Sequence, residues 1–229
     1  MGLRRSLPGR FRRYAPDVAG DVIWTIVVAG GSGSRFGTRK QFEAFGSSTV
    51  IGESISVARV VSDGVVAVVP VGSLERDDGA DAVVAGGSTR AASVRAGLVA
   101  VPERASIILV HDAARPLASV TLYERVIRTV RLGADGVVPV VPVTDTLRTL
   151  DGVAMDRDQL VAVQTPQGFA APALRAAHRD EPEATDDASL VSAAGGIVVT
   201  VEGDRWNLKL TEPSDVVVAM ALWNAKMGQ

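Results

Sequence analysis

Cysteine is absent from the 229 residues and histidine occurs only twice. A chain so equipped has no disulfide framework, no thiol nucleophile and no cysteine zinc site, and two imidazoles do not make a histidine-built metal centre. Cysteine-free usage suits a reducing compartment, so a cytoplasmic location is expected. Aromatic residues make up 4% of the chain and the formal net charge is −2, which leaves neither a basic nucleic-acid groove nor a row of base-stacking platforms. Apolar runs such as residues 65–69 and 107–110 are strand-length, far below the ~20 residues of a membrane helix. Nucleic acid and membrane are therefore not expected as partners. What the chain does have is apolar material, 47% hydrophobic against 22% charged, enough for one sizeable core.

Charge is unevenly placed at the start. Arg4, Arg5, Arg10, Arg12 and Arg13 precede the first acid, Asp17. A signal peptide needs an apolar run of about 7–15 residues after its charges, and residues 11–14 are interrupted by two arginines. Residues 1–21 read as a loose basic tail, and 22–229 as a single domain.

From residue 24 onward, short β-branched runs alternate with amphipathic stretches. Strands are predicted at 24–29, 65–69, 81–85, 107–110, 136–141 and 197–201, and helices near 49–61, 89–101, 119–132, 172–178, 186–194 and 211–223. Continuous apolar strands imply a sheet covered on both faces. Ser88, Ser119 and Thr211 are the expected N-caps. This alternation predicts an α/β fold with an open, doubly wound, mostly parallel, Rossmann-like sheet. One segment breaks the rhythm: at about 142–165, Asp151-Gly152 separates two extended stretches too short for a crossover helix, which reads as a protruding β-hairpin arm. Its unpaired edges call for a partner.

The strongest chemical signal is Ala29-Gly30-Gly31-Ser32-Gly33-Ser34-Arg35-Phe36-Gly37-Thr38-Arg39-Lys40, directly after the first strand. Glycines admit an anion close to the backbone, successive N–H groups form a nest, and Arg35 and Lys40 neutralise a polyphosphate. The dinucleotide fingerprint fits loosely, since no acid closes the second strand at Val69-Pro70, and Gln41 after Lys40 excludes a Walker loop. A second strand-to-helix corner, Gly86-Gly87-Ser88-Thr89-Arg90 and on to Ser93 and Leu98, is on its own an ordinary capped helix. A third motif is His111-Asp112-Ala113-Ala114-Arg115-Pro116. An acid at the carboxyl end of a central strand suits Mg²⁺ between protein and phosphate, and Arg115 offers a fork for phosphate. His111 reads either as a general base or, by the commoner usage at a strand end, as a structural residue.

These motifs, followed by Pro142-Val143-Thr144-Asp145-Thr146, Gln164-Thr165-Pro166-Gln167, Thr185-Asp186-Asp187-Ala188 and Asn207-Leu208-Lys209, stand in an order that resembles the 2-C-methyl-D-erythritol 4-phosphate cytidylyltransferase family from about residue 24 to 223. The resemblance implies a nucleotidyltransferase that takes CTP and a sugar-alcohol phosphate, 2-C-methyl-D-erythritol 4-phosphate, to 4-diphosphocytidyl-2-C-methyl-D-erythritol and pyrophosphate in non-mevalonate isoprenoid biosynthesis. It implies Arg35 and Lys40 on the α-phosphate, and Asp112 on Mg²⁺ and substrate. CTP would lie against Ala29, Gly30, Gly31, Gly33, Gly87 and Ser93. Arg157 and Lys209 would position the sugar phosphate, with Thr146 on the sugar and Arg115 nearby, in a homodimer joined through the arm. Related loops carry two more residues between arginine and lysine, with proline before the lysine. Arg39 fills that place here, so Arg39 and Lys40 compete for the role.

The chemistry agrees with the residues. A phosphate monoester has its second pKa near 6, so the nucleophile is ionised without a side-chain base. The obstacle is repulsion: two like charges ~4 Å apart cost about 4 kcal/mol at an effective dielectric of 20. Arg35, Lys40, Arg115, Arg157, Lys209 and Mg²⁺ would offset it by positioning and electrostatics. A ribitol-5-phosphate cytidylyltransferase is the nearest alternative, disfavoured by residues 185–188 and 144–146. A regulatory module that binds nucleotide without turnover would have lost the loop cations.

Overall fold

The computed structural model describes residues 20–30, 40–76 and 78–228. The tail 1–19, and with it most of the expected 1–21 segment, lies outside them, as do Gly31, Gly33, Arg35 and Arg39. Twelve strands occur among the described residues: β1 (Ile23–Val28), β2 (Ala44–Phe45), β3 (Ser48–Thr49), β4 (Gly64–Val69), β5 (Ala82–Ala85), β6 (Ile107–Asp112), β7 (Gly136–Pro142), β8 (Leu147–Arg148), β9 (Ala154–Met155), β10 (Val161–Val163), β11 (Gln167–Ala170) and β12 (Val198–Glu202). Six helices accompany them: α1 (Val50–Val61), α2 (Arg90–Ala100), α3 (Val120–Arg131), α4 (Ala171–Ala177), α5 (Asp187–Ala193) and α6 (Pro213–Met227).

Eight strands make one sheet in the order β10-β7-β11-β6-β1-β4-β5, with β12 also on β7. β1 is parallel to both β4 and β6, β4 to β5, and β7 to β12. Every residue of β4 is buried, as a Val-rich strand covered on both faces requires. Ile51, Ile55, Tyr123, Val126 and Val130 of α1 and α3 pack on one face. Val94, Leu98, Leu174, Leu190 and Val191 of α2, α4 and α5 pack on the other. Each such side chain contributes about 1.5–3 kcal/mol on burial, and together they fix the strands whose carboxyl ends carry the site.

The six expected strands and six expected helices are present, with ends shifted by a few residues at most. Two N-caps are corrected. Thr89 rather than Ser88 caps α2, its hydroxyl accepting from the Ala92 amide at 3.0 Å. Glu212 rather than Thr211 caps α6, where Asp215 Oδ2 accepts the Thr211 and Glu212 amides at 2.6 and 2.8 Å. Ser119 caps α3 as expected. Sequence alone did not anticipate β11, which runs antiparallel between β6 and β7. Its polar, proline-bearing approach, Gln164-Thr165-Pro166, masks the strand signal.

The arm is a hairpin, with a turn longer than a bare Asp-Gly pair. The Gly152 amide donates to the Thr149 carbonyl and the Thr149 amide to the Val153 carbonyl, both at 2.9 Å. Leu150, Asp151 and Gly152 thus form the loop, closed by Gly152 at φ +93°, the three-residue form in which glycine takes the left-handed position. The chain then returns through a 3₁₀ turn, Arg157–Gln159, to β10, which pairs with the end of β7.

Candidate active site

The carboxyl ends of β1, β5 and β6 meet where the chain moves outward to β4 on one side and to β11 and β7 on the other, the place where open α/β sheets bind ligands. Ala29 and Gly30 leave β1. The Ala29 amide donates to the Val68 carbonyl at 2.8 Å, and buried Gln41 donates to the Ala29 carbonyl at 3.0 Å. Gly86 and Gly87 leave β5 against α2. A Cβ at Gly87 would lie 2.4 Å from that of Ala92, so only glycine lets the corner close on the helix. Ser93 stands on the same helix with its hydroxyl donating to the Thr89 carbonyl at 2.8 Å. Gly30, Gly86, Gly87 and Ser93 therefore meet at one corner, with Ala29 next to it in the chain.

Asp112 ends β6. Lys209 Nζ donates to its Oδ2 at 2.7 Å and Arg90 Nε to its Oδ1 at 3.4 Å. Burial alone would raise this carboxyl, but Lys209, Arg90 and Arg115 outweigh it and hold it far below the usual carboxylate range. Lys40 donates to the Leu210 carbonyl, and the Leu210 amide donates to the Ala114 carbonyl at 2.8 Å. The segment bearing Lys209 thus ties Lys40 to the loop after β6. Asp215, in the first turn of α6, is lowered mainly by the Thr211 hydroxyl and also by the Lys40 charge.

His111 is fully buried, its ring 5.5 Å from that of Tyr123. The Asp112 amide donates to Thr165 Oγ1 at 3.0 Å, and Thr165 Oγ1 lies 3.1 Å from His111 Nδ1. His111 Nε2 lies 3.2 Å from the Arg115 carbonyl. A carbonyl only accepts, so Nε2 carries the hydrogen, and Thr165 donates its hydroxyl hydrogen to a bare Nδ1. Burial lowers the imidazole to about 4. Full burial, with both ring nitrogens bonded inside the fold, favours the structural reading of His111.

Arg115 Nη1 donates to the Asn207 carbonyl at 2.7 Å and Nη2 to the Val163 carbonyl at 3.1 Å. Its fork, expected on phosphate, fastens the Lys209 segment and the arm's return strand to the sheet edge. Thr146 and Arg157 sit on the arm, both exposed, with Arg157 Nη1 donating to the Thr144 carbonyl at 2.6 Å. Sequence reasoning did not single out Arg90, Thr165 or Asp187 for a role. Arg90 and Asp187 are 97 residues apart, and only the fold shows the contact.

The donor set fits Mg²⁺ carried in on a polyphosphate. Among the described residues no group of three or more His, Cys, Asp or Glu could hold a metal, and Mg²⁺ needs only one or two carboxylates when phosphates complete its shell. Asp112 would be the protein ligand.

A doubly wound sheet whose carboxyl edge joins a glycine corner, one strongly acidic carboxyl and two lysines defines a nucleotidyltransferase. The model of the family described as IspD, 2-C-methyl-D-erythritol 4-phosphate cytidylyltransferase, matches residues 23–225, and the chain belongs to that family. It is 41% identical over 220 residues to the 2-C-methyl-D-erythritol 4-phosphate cytidylyltransferase of Rhodococcus jostii, covering 90% of this chain and 96% of that one. It is 42% identical over 219 residues to the protein of the same name from Frankia casuarinae, covering 90% and 82%. The crystal structure of the Thermus thermophilus 2-C-methyl-D-erythritol 4-phosphate cytidylyltransferase superposes with a TM-score of 0.78 at 37% identity, covering 89% of this chain and 99% of that one.

Proposed function

We propose that this chain transfers CMP from CTP to 2-C-methyl-D-erythritol 4-phosphate, releasing pyrophosphate, as a cytoplasmic, Mg²⁺-dependent homodimer with one nucleotidyltransferase domain from about residue 22. The observation that carries the reading is the convergence of Asp112, Lys209 and Lys40 at the carboxyl edge of a chain from this family. Cytosine would lie in the corner of Gly87 and Ser93, with Arg35, Gly31 and Gly33 supplying the remainder of the triphosphate cradle. Bound Mg²⁺ would neutralise triphosphate oxygens, held by Asp112.

The sugar phosphate attacks as an ionised oxygen, so the absence of a usable base at His111 is no obstacle. Lys40 and Arg35 balance the charge that builds on the α-phosphate, the kind of stabilisation that raises turnover more than affinity. Lys209, half-exposed on a flexible stem, moves from Asp112 to phosphate. Arg157 is supplied by the arm. That arm carries Leu147, Leu150, Val153, Met155, Val161 and Val163 open to solvent, and twofold pairing with the same arm of a second copy would cover them and bring Arg157 to the neighbouring site.

Pyrophosphate release tests the reading, with CTP set against ATP, GTP and UTP, and 2-C-methyl-D-erythritol 4-phosphate against ribitol 5-phosphate. Turnover confined to CTP and the methylerythritol substrate is expected. Preference for ribitol 5-phosphate would overturn the substrate assignment, and no pyrophosphate with any pair would overturn the activity.

A further inference from the structure

Asp187, at the start of α5, is fully buried, yet nothing in the transfer reaction asks for a carboxylate there. Its Oδ1 accepts from His178 Nε2 at 3.0 Å and its Oδ2 from Arg90 Nη1 at 2.6 Å. The same guanidinium faces Asp112 Oδ1 through Nε, at the longer distance of 3.4 Å. Arg90 therefore stands between two carboxylates and is drawn harder to the one remote from substrate. An arginine fork left with a single carboxylate closes on it with two parallel hydrogen bonds.

The two cations on Asp112 differ in freedom. Lys209 has 45% of its side chain exposed and a single point contact, whereas Arg90 has 24% exposed and is pinned from behind. A ligand arriving at Asp112 can push the lysine aside far more readily than the arginine. Which oxygen of Asp112 stays open then depends on how firmly Arg90 is held elsewhere.

We propose that Asp187 is a positioning residue for nucleotide and cation binding: by holding the Arg90 guanidinium, it keeps that fork from closing on Asp112. The proposal rests on the reading of Asp112 as the residue that holds the divalent cation. It gives the Thr185–Ala188 motif a task, with Asp186 capping α5 through the Ser189 amide at 3.0 Å and Asp187 restraining Arg90. A role confined to stability would tie α2, α4 and α5 together and leave Asp112 unaffected.

The test is calorimetric titration with CTP in the absence of sugar phosphate, so that nothing turns over, once with Mg²⁺ and once with EDTA. The quantity read is the gain in affinity that Mg²⁺ confers. For the unaltered chain a gain of about tenfold or more is expected, and Asp112→Asn should remove most of it. Asp187→Asn keeps the shape but frees Arg90, so the gain should shrink by about threefold or more while affinity in EDTA does not fall. In the double variant Arg90→Gln with Asp187→Asn no fork remains to close on Asp112, and the gain should return to within about twofold of the original. This variant also answers the question if Asp187→Asn alone melts below the assay temperature. Equal weakening in both arms for Asp187→Asn, or a double variant whose gain stays as low as that of Asp112→Asn, overturns the proposal. If Asp112→Asn keeps the full gain, the cation reading of Asp112 fails and takes the proposal with it.

Discussion

At the carboxyl edge of the sheet, charged groups are held by partners far away in sequence. Lys209 and Asp112 are 97 residues apart, Arg115 and Asn207 are 92, and Lys40 and Leu210 are 170. In the outer part of the arm the bonds are local: Arg148 reaches Gly152, four residues on, and Arg157 reaches Thr144, thirteen back. The arm also leaves apolar side chains uncovered, with Leu150 and Val153 fully or mostly open to water. The edge is thus over-determined by the fold of one chain. The arm is a hairpin whose apolar surface has nothing of its own to pack against, and so short a two-stranded hairpin is marginal in water by itself.

The comparison breaks first at Lys40. Lys40→Ala should lower turnover by about two orders of magnitude, with a modest change in CTP affinity, because the lost cation matches charge present only in the transition state. Steady-state kinetics with CTP varied check this, and a nearly silent Lys40→Ala beside a damaging Arg39→Ala would move the role to Arg39. Mixing is the sharper probe of the arm. Lys40→Ala and Arg157→Ala proteins, each inactive alone, should regain activity on subunit exchange at roughly a quarter of all sites if the arm serves its neighbour. Verified exchange without recovery would assign Arg157 to its own chain or to no site.

A smaller effect separates His111 from the charged groups around it. The imidazole is held near 4 in the folded chain against 6.5 when free, so between those values the unfolded chain takes up a proton that the folded one refuses. Stability from this group is complete above pH 6.5, falls as the pH drops through the window, and stays lost below it, about 3 kcal/mol in all. Chemical denaturation at a series of pH values should show that slope, and His111→Ala should flatten it while lowering the melting temperature and sparing measurable turnover. The least effect belongs to the arm's turn. Gly152→Ala, at φ +93° with open space around it, should cost about 1 kcal/mol locally and leave the melting of the body unchanged.

Much of the sheet was legible because its signals are local. Val-rich runs named the parallel strands, and Ser119 named its own cap. The misplaced caps at 88 and 211 were decided by a neighbouring side chain, Thr89 in one case and Asp215 in the other. Strand β11 was hidden because burial between β6 and β7 is a tertiary fact that its polar approach does not advertise. In the site, Asp112 and Lys40 stood out by residue type and motif, and Lys209 only through the family resemblance. That Arg115 fastens backbone, that His111 is neutral, and that Arg90 answers to Asp187 were not, since each depends on a partner at least 50 residues away or on burial.

The docking of the segment from Asn207 to α6 also has a consequence in time. Phe45 and Val50, just past Lys40, share a cluster with Leu117, Leu210 and Ala219, and Trp223 packs against it. The central strands β1, β4 and β6 and their helices are all encoded in the first 131 residues, whereas Lys209, the carbonyl that receives Lys40 and the helix that braces both come only from residue 209 onward. A nascent chain that had not yet reached Lys209 would therefore have most of its sheet before it had its chemistry, and the segment from Lys209 through α6 would decide when the enzyme first becomes competent.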